Sequence, residues 1–348
     1  MSTHLVADLI SDTVTRPTAA MREAMAHAEV GDEQRGEDPT VRALEERMAA
    51  LLGMDGAVFV PSASMANQIA VQLHTGPGDE VVAHATAHVI NHEGGGLAAN
   101  ARAQCRPLQS PNGLFTAEQL EEAIRVDDPH YPRTSLVVIE NTSNGGGGTP
   151  WTTEQMRAVM EVARRRGLKV HLDGARFFNA VTVLGVEPRA VALGFDSVTV
   201  CLSKGLGCPF GAVLCLTAGM AKEARRIKQR MGGALRQAGI IAAAGVYALD
   251  HHVERLAEDH RRAAVLHRTL AGLPNVVVEP VHTNLVFFRV QPDAGAAARF
   301  VKTLAARGVR MGVTGGNRIR AVLHMDVTDE GLEVALAACK DAAGAAAA

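Results

Sequence analysis

Short runs rich in valine and isoleucine alternate along this chain with longer segments in which apolar residues recur every three or four positions. The short runs AVFVPS (Ala57–Ser62), EVVAH (Glu80–His84), SLVVIEN (Ser135–Asn141), LKVHLD (Leu168–Asp173) and DSVTVCLS (Asp196–Ser203) have the length of strands. Between several of them, SMANQIAVQLH, TAEQLEEAIR and TTEQMRAVMEVARRRG carry helical spacing. That alternation predicts an α/β fold with crossover connections, a mostly parallel central sheet and helices on both faces. Ligands of such sheets gather beyond the carboxyl ends of the strands. Here the apolar runs stop at Ser62, His84, Glu140–Asn141, Asp173 and Ser203–Lys204, so polar groups fall where a ligand would sit. GAVLCL, after the turn GCPFG, is expected to return as an antiparallel strand.

From about Asp250 the pattern changes to one long helix, DHHVERLAEDHRRAAVLHRTL, then NVVVEP, NLVFFRV, another helix and RIRAVLHMDV. It predicts a smaller C-terminal α+β domain. The bulk properties narrow the function. Of 348 residues 47% are hydrophobic, and 35 basic side chains stand against 37 acidic ones, which fits a soluble globular enzyme or binding protein. A net charge of -2 supplies no basic field for nucleic acid, and the clusters at 163–167 and 224–230 read as solvated helix faces. Five cysteines without CxxC spacing argue against a disulfide framework or a zinc knuckle and fit a reducing, cytoplasmic location. No apolar run reaches the roughly 18 residues of a membrane span, and the opening MSTHLVADLISDT has no export-signal pattern. No membrane and no nucleic acid are expected as partners.

Three histidines, His84, His88 and His92, recur at intervals of four in VAHATAHVINHEGGG, which raises the question of a metal. On one helix His84 and His92 would stand about 12 Å apart, too far to share an ion bound at about 2 Å. No HExxH pair is present, and three glycines after Glu93 disfavour a helix, so no metal is expected. Elsewhere HLDGARFF ends a buried run on Asp173, and SVTVCLSKGLG ends another on Lys204. A lysine there suits Schiff-base formation, and an aspartate beneath it suits pairing with a protonated pyridine nitrogen. A structural ion pair accounts for the same spacing equally well. PSASMANQIAV puts Ser62, Ala63 and Ser64 at a strand-to-helix turn, where backbone N–H groups and the helix dipole favour an anion. Gly205-Leu206-Gly207 lacks the GxGxxG spacing of a dinucleotide site.

Taken together, SDTVTRPT, GEDPTVRALEE, PSASMANQ, AHVINHEGGG, ENTSNGGGG, HLDGARFFNA, SVTVCLSKGLGCPFG, GGALRQAG, HTNLVFF and RIRAVLHMDV resemble the low-specificity L-threonine aldolases of the β-eliminating lyase group. These are pyridoxal phosphate enzymes of fold type I, and the resemblance runs over nearly the whole chain. It implies an N-terminal arm over 1–20 reaching the active site, a large cofactor-binding domain over 21–250 and a small domain over 251–348. It also implies that Lys204 is the Schiff-base lysine, Asp173 the partner of the pyridine nitrogen and His88 the ring that stacks on the cofactor. Arg176 then lies near the cofactor's phenolic oxygen and the substrate carboxylate. Ser11 and Arg320 hold that carboxylate. Ser62, Ala63, Ser64 and Ser203 belong to the cofactor site, with Arg236 a phosphate contact supplied across a dimer interface. The implied assembly is a homodimer or homotetramer, and the implied reaction is retro-aldol cleavage of L-β-hydroxy-α-amino acids to glycine and an aldehyde.

Four positions depart from the family pattern. Ile10 and Arg35 replace an arginine and a tyrosine, His92 replaces a tyrosine, and Ser143 replaces a histidine of the ENTHN motif that contacts the substrate's β-hydroxyl. They bear on the substrate side, where Arg35, His92 and Ser143 are expected, and not on the cofactor. A short serine in place of imidazole predicts a wider aldehyde side and another base, His88 or His92. Competing readings are β-elimination from a 3-substituted amino acid, revealed by keto acid and ammonia, a cofactor-retaining binding protein, and a histidine metal protein.

Overall fold

A computed structural model describes residues 5–346. Its strands in chain order are β1 (Ala7–Asp8), β2 (Gly56–Val60), β3 (Glu80–His84), β4 (Gln104–Leu108), β5 (Thr134–Glu140), β6 (Lys169–Gly174), β7 (Ser197–Cys201), β8 (Ala212–Leu216), β9 (Val276–Val278), β10 (Leu285–Val290), β11 (Val309–Arg310), β12 (Gly312–Gly315) and β13 (Arg318–Val322). The chain divides into two compact units, one of Pro17–Val253 and one of the residues up to Arg16 with those from Glu254 onward.

The larger unit holds a seven-stranded sheet in the order β2-β8-β7-β6-β5-β3-β4. From β7 to β4 the neighbours are parallel, and β8 runs antiparallel between β2 and β7, as the pattern after the GCPFG turn predicts. All five residues of β8 are buried; because successive side chains point to opposite faces, the sheet is covered on both sides there. On one face Val58, Val60 and Leu214 pack against Ala66, Ile69 and Ala70 of the helix Ala63–His74 and against Ala224 and Ile227 of Ala221–Arg230. Strand β4 was not expected. It reads QCRPL at the sheet edge, half exposed, and edge position is what tolerates Pro107 and hides the apolar signal.

The smaller unit packs helices Leu256–Ala271, Ala296–Ala306 and Asp329–Ala346 with the antiparallel sheet β12-β13-β10-β9. Its core joins Phe288, Phe300, Leu266, Leu304, Ile319 and Ala335, with the two phenylalanine rings 5.5 Å apart. The N-terminal residues contribute to this unit, where β1 pairs in parallel with β11. The expected long helix from Asp250 is broken. One helix, Gly239–His251, ends the larger unit and another begins at Leu256, with the division between units at Val253 and Glu254. No glycine or proline marks the break; His252 Nδ1 instead bonds the Leu206 carbonyl at 2.7 Å, a tertiary contact that helical periodicity does not reveal.

Candidate active site

Parallel register sets the site. It aligns Glu140 and Asp173, at the carboxyl ends of β5 and β6, with Thr199 in the middle of β7, and sets Val138, His171 and Ser197 in the row beneath. Residues two apart on a strand share a face, so His171 and Asp173 point the same way. Over them lies the helix Ala63–His74, capped by the Ser62 hydroxyl, which accepts from the Met65 N–H at 3.2 Å. Asn67 and His74, two turns apart on that helix, face the strands together.

Asp173 is 1% exposed and accepts hydrogen bonds from Asn67 Nδ2 at 2.9 Å and from the Ala175 N–H at 3.0 Å. Burial, followed by the charges of Glu140 and Glu93, pushes its pKa up to about 7, while His88 and Lys204 pull the other way. Asn67 Nδ2 also donates to Glu93 Oε1 at 2.8 Å, and Glu93 Oε2 accepts from Gln68 Nε2 at 2.5 Å. His88 Nδ1 meets Glu93 Oε1 at 2.9 Å, and that bond holds the imidazole above its ordinary pKa. The donor types of His88, Glu93 and Asp173, with ligand atoms within 4.8 Å of one another, are those of a cation site as well. Their hydrogen bonds through Asn67 and Gln68 account for the grouping without one.

The loops are tied to the same strand ends. Glu140 Oε2 accepts from the His88 N–H at 2.6 Å and Oε1 from the Asn144 N–H at 2.7 Å, so one buried carboxylate holds the turns after β3 and β5. Arg176, buried just past β6, donates from Nη1 to Asn144 Oδ1 at 3.2 Å. Glycines follow Glu93 for two reasons. Gly94 and Gly95 have φ of +61° and +73°, and a Cβ on Gly96 would come within 2.2 Å of Gln68 Oε1.

Ser203 and Lys204 follow β7 and are half-buried; Ala63 and Ser64 open the helix beneath the exposed Ser62. His84, His88 and His92 do not share a helix. His84 ends β3 and is bonded to Thr86 and Ser110, whereas the helix His88–Asn91 stops at His92, whose ring lies 5.5 Å from that of His88. Ser143 is 2% exposed, and its hydroxyl turns into its own loop, accepting from the Gly146 N–H at 3.2 Å with Gly113 packed against it. Arg35 and Arg236, with side chains 73% and 61% exposed, both reach Asp32 Oδ2, at 3.6 and 2.8 Å. In the smaller unit Ser11 caps the 3₁₀ turn Asp12–Val14, and Arg320 on β13 donates to the carbonyl of the neighbouring Ile10 at 3.1 Å.

A family model described as beta-eliminating lyase matches residues 8–293. The chain belongs to that family. Among its relatives, low-specificity L-threonine aldolase 1 of Arabidopsis thaliana is 38% identical over 96% of either chain. Low specificity L-threonine aldolase of Escherichia coli K12 is 40% identical over 93% of this chain and 96% of its own. Of solved structures, Leishmania major threonine aldolase superposes with a TM-score of 0.83 at 20% identity, covering 97% of this chain and 99% of that one. A Sphingomonas wittichii serine palmitoyltransferase reaches 0.76 at 16% identity over 100% of this chain and 92% of that one. The likeness to both structures establishes fold type I.

Pyridoxal phosphate is the cofactor of this beta-eliminating lyase, and the residues fit it. A fully buried carboxylate with a raised pKa is relieved by a cation set against it, and a protonated pyridine nitrogen is such a cation. Beside Asp173 the buried Thr199 hydroxyl has no hydrogen-bond partner among the described residues, a polar group consistent with a polar ligand. Strand-end spacing does not reveal Asn67, Glu93 or His171. A signal was present for two of them: Asn67 interrupts an apolar helical stripe and His171 an apolar strand, and buried polar groups require partners.

Proposed function

We propose that this chain cleaves L-β-hydroxy-α-amino acids, threonine and allo-threonine among them, to glycine and an aldehyde, with pyridoxal phosphate held in the larger unit. One observation carries the reading: a buried carboxylate, Asp173, shares the Asn67 amide with a histidine–carboxylate pair, His88 and Glu93, at the ends of the strands. Bound pyridoxal phosphate supplies an electron sink for the electron pair released when the Cα–Cβ bond breaks. Lys204 would hold it through Nζ. Asp173 keeps the proton on the pyridine nitrogen. Ser62, Ala63 and Ser64 hold the phosphate at a helix N-terminus, where N–H groups and the dipole favour an anion, with Ser203 beside Lys204.

His88 takes the β-hydroxyl proton. Its Nδ1 is bonded to Glu93, so Nε2 is the accepting atom, and the Glu93 charge stabilises the imidazolium that results. Arg176 binds the substrate carboxylate, with Asn144 orienting its guanidinium, and this hold selects which bond to Cα is aligned for cleavage. A homodimer or homotetramer in the cytoplasm belongs to the same proposal: Arg236 is exposed for a neighbouring copy, all five cysteines are free, and no helix among the described residues is long and apolar enough to cross a membrane. Incubation with threonine, allo-threonine, serine and phenylserine is expected to yield glycine and the matching aldehyde. Keto acid and ammonia as the products overturn this in favour of β-elimination.

A further inference from the structure

We propose that Asn67 is a positioning residue whose amide is locked in one orientation by the buried chain His171–Ser197–His74, so that it presents both N–H bonds at once to Glu93 and Asp173. The inference rests on Asp173 being the partner of the pyridine nitrogen.

The directions of the hydrogen bonds carry it. Glu93 Oε1 accepts from His88 Nδ1, so the Asn67 group 2.8 Å from it is the NH₂, and the same nitrogen lies 2.9 Å from Asp173. Asn67 Oδ1 then faces His171 Nε2 at 3.1 Å, which must carry the hydrogen. A neutral imidazole has one N–H, so His171 Nδ1 accepts from the Ser197 hydroxyl at 2.8 Å. Ser197 Oγ in turn accepts from His74 Nε2 at 2.8 Å. Burial holds both histidines neutral, with pKa values pushed down to about 3 for His171 and about 4 for His74, so neither ring gains a second N–H near neutral pH. The network His171–Ser197–His74 acts by fixing one amide.

What the amide does follows from its neighbours. The charged and titratable groups around Asp173 are Glu140 on β5, Glu93 and His88 from the turn after β3, and Lys204 after β7, with His171 below it on β6. If the Asn67 N–H is removed, two carboxylates face each other without a donor between them, and Asp173 becomes the stronger base. The proton shared with the ring then moves from the pyridine nitrogen to the carboxylate. An amide turned over has the same effect, because it aims Oδ1 at both carboxylates.

The test uses the full chain, pyridoxal phosphate labelled with ¹⁵N in the ring, the nitrogen's NMR shift in the holoprotein, and titration of apoprotein with cofactor. Wild type is expected to show a protonated nitrogen. Asn67→Ala is expected to move the shift toward the unprotonated value and to weaken cofactor binding at least about tenfold, the effect of losing one charge-assisted hydrogen bond. His171→Leu, which removes only the lock, moves both readouts in the same direction, while His171→Gln keeps a donor near the former Nε2 and restores them. Should either of the first two variants fail to fold by circular dichroism, Ser197→Ala replaces it, with the same direction and a smaller size expected. Wild-type values in Asn67→Ala, in Ser197→Ala used as its substitute, or a His171→Gln protein as impaired as His171→Leu overturn the proposal. Wild-type protein that takes up no pyridoxal phosphate overturns the cofactor reading instead, so the two failures are distinct.

Discussion

Replacing Glu93 by glutamine keeps the shape of the side chain beside His88 and removes its charge. The Glu93 side chain is 1% exposed and accepts three hydrogen bonds, from His88 Nδ1 at 2.9 Å, Asn67 at 2.8 Å and Gln68 at 2.5 Å. It is the largest influence raising the His88 pKa above 6.5, against burial, which lowers it. A hydrogen bond to a charged group contributes about 1.5–3 kcal/mol, so with that charge removed the variant's imidazole is expected to titrate lower. If His88 is the base, activity is lost as the pH falls through its pKa. The acidic limb of kcat/KM for threonine, followed by glycine formation from about pH 5 to pH 9, should therefore move to lower pH in Glu93→Gln. The plateau above the limb should fall about tenfold, because the imidazolium formed on proton transfer has lost its counter-charge. Stability carries the same sign. A raised histidine pKa contributes stability that is complete below 6.5 and is lost as the pH rises through the raised value, so apoprotein melts should lose that step in the variant. An acidic limb that stays in place or moves upward refutes the assignment of His88 as the base supported by Glu93.

Three further outcomes are expected. Borohydride should trap the cofactor on Lys204 and abolish the visible band, and Lys204→Ala should be folded and colourless; colour retained in that variant removes the lysine from its role. Asp173→Asn should lower turnover by about a hundredfold or more, because the ring proton loses its anionic partner. In the apoprotein the Asp173 pKa is raised from 3.8 to about 7, so wild-type stability falls as the pH rises across that window and the Asn variant should not share the fall, as thermal melts would reveal. Ser143→His must fit an imidazole where a Cβ on Gly113 would already lie 2.0 Å from Ser143 Oγ, so it should cost about 1–3 kcal/mol by overpacking. An unchanged melting temperature, with the kcat/KM ratio of threonine to phenylserine raised, would mean that position 143 faces the substrate.

Some of the site was legible because chemistry-bearing residues end apolar strands. Asp173 ends the strand-like run LKVHLD and Lys204 follows the run SVTVCLS, and parallel strands bring their carboxyl ends to one side of the sheet. Glu140 was visible as a strand end too, but its work of holding two loops through backbone N–H groups depends on where those loops return, which spacing along the chain does not encode. Arg35, Arg236 and Ser143 were named from motif position alone. Within the larger unit the two arginines converge on Asp32, and Ser143 packs under Gly113.

The order of elements, the antiparallel return of β8, the family and the cofactor were all determined by local pattern and motif, since hydrophobic period and strand-end residues are properties of short segments. The division of the helix after His251, the edge strand containing Pro107 and the entry of the N-terminal residues into the smaller unit were decided only in three dimensions. So was the network around Asn67. Its partners Glu93, His171 and Asp173 lie 26, 104 and 106 residues away in sequence, and a hydrogen bond reads distance in space. Packing a polar helix position against a polar strand position is favourable only when both ends are buried together, and that condition arises when helix Ala63–His74 closes over the sheet.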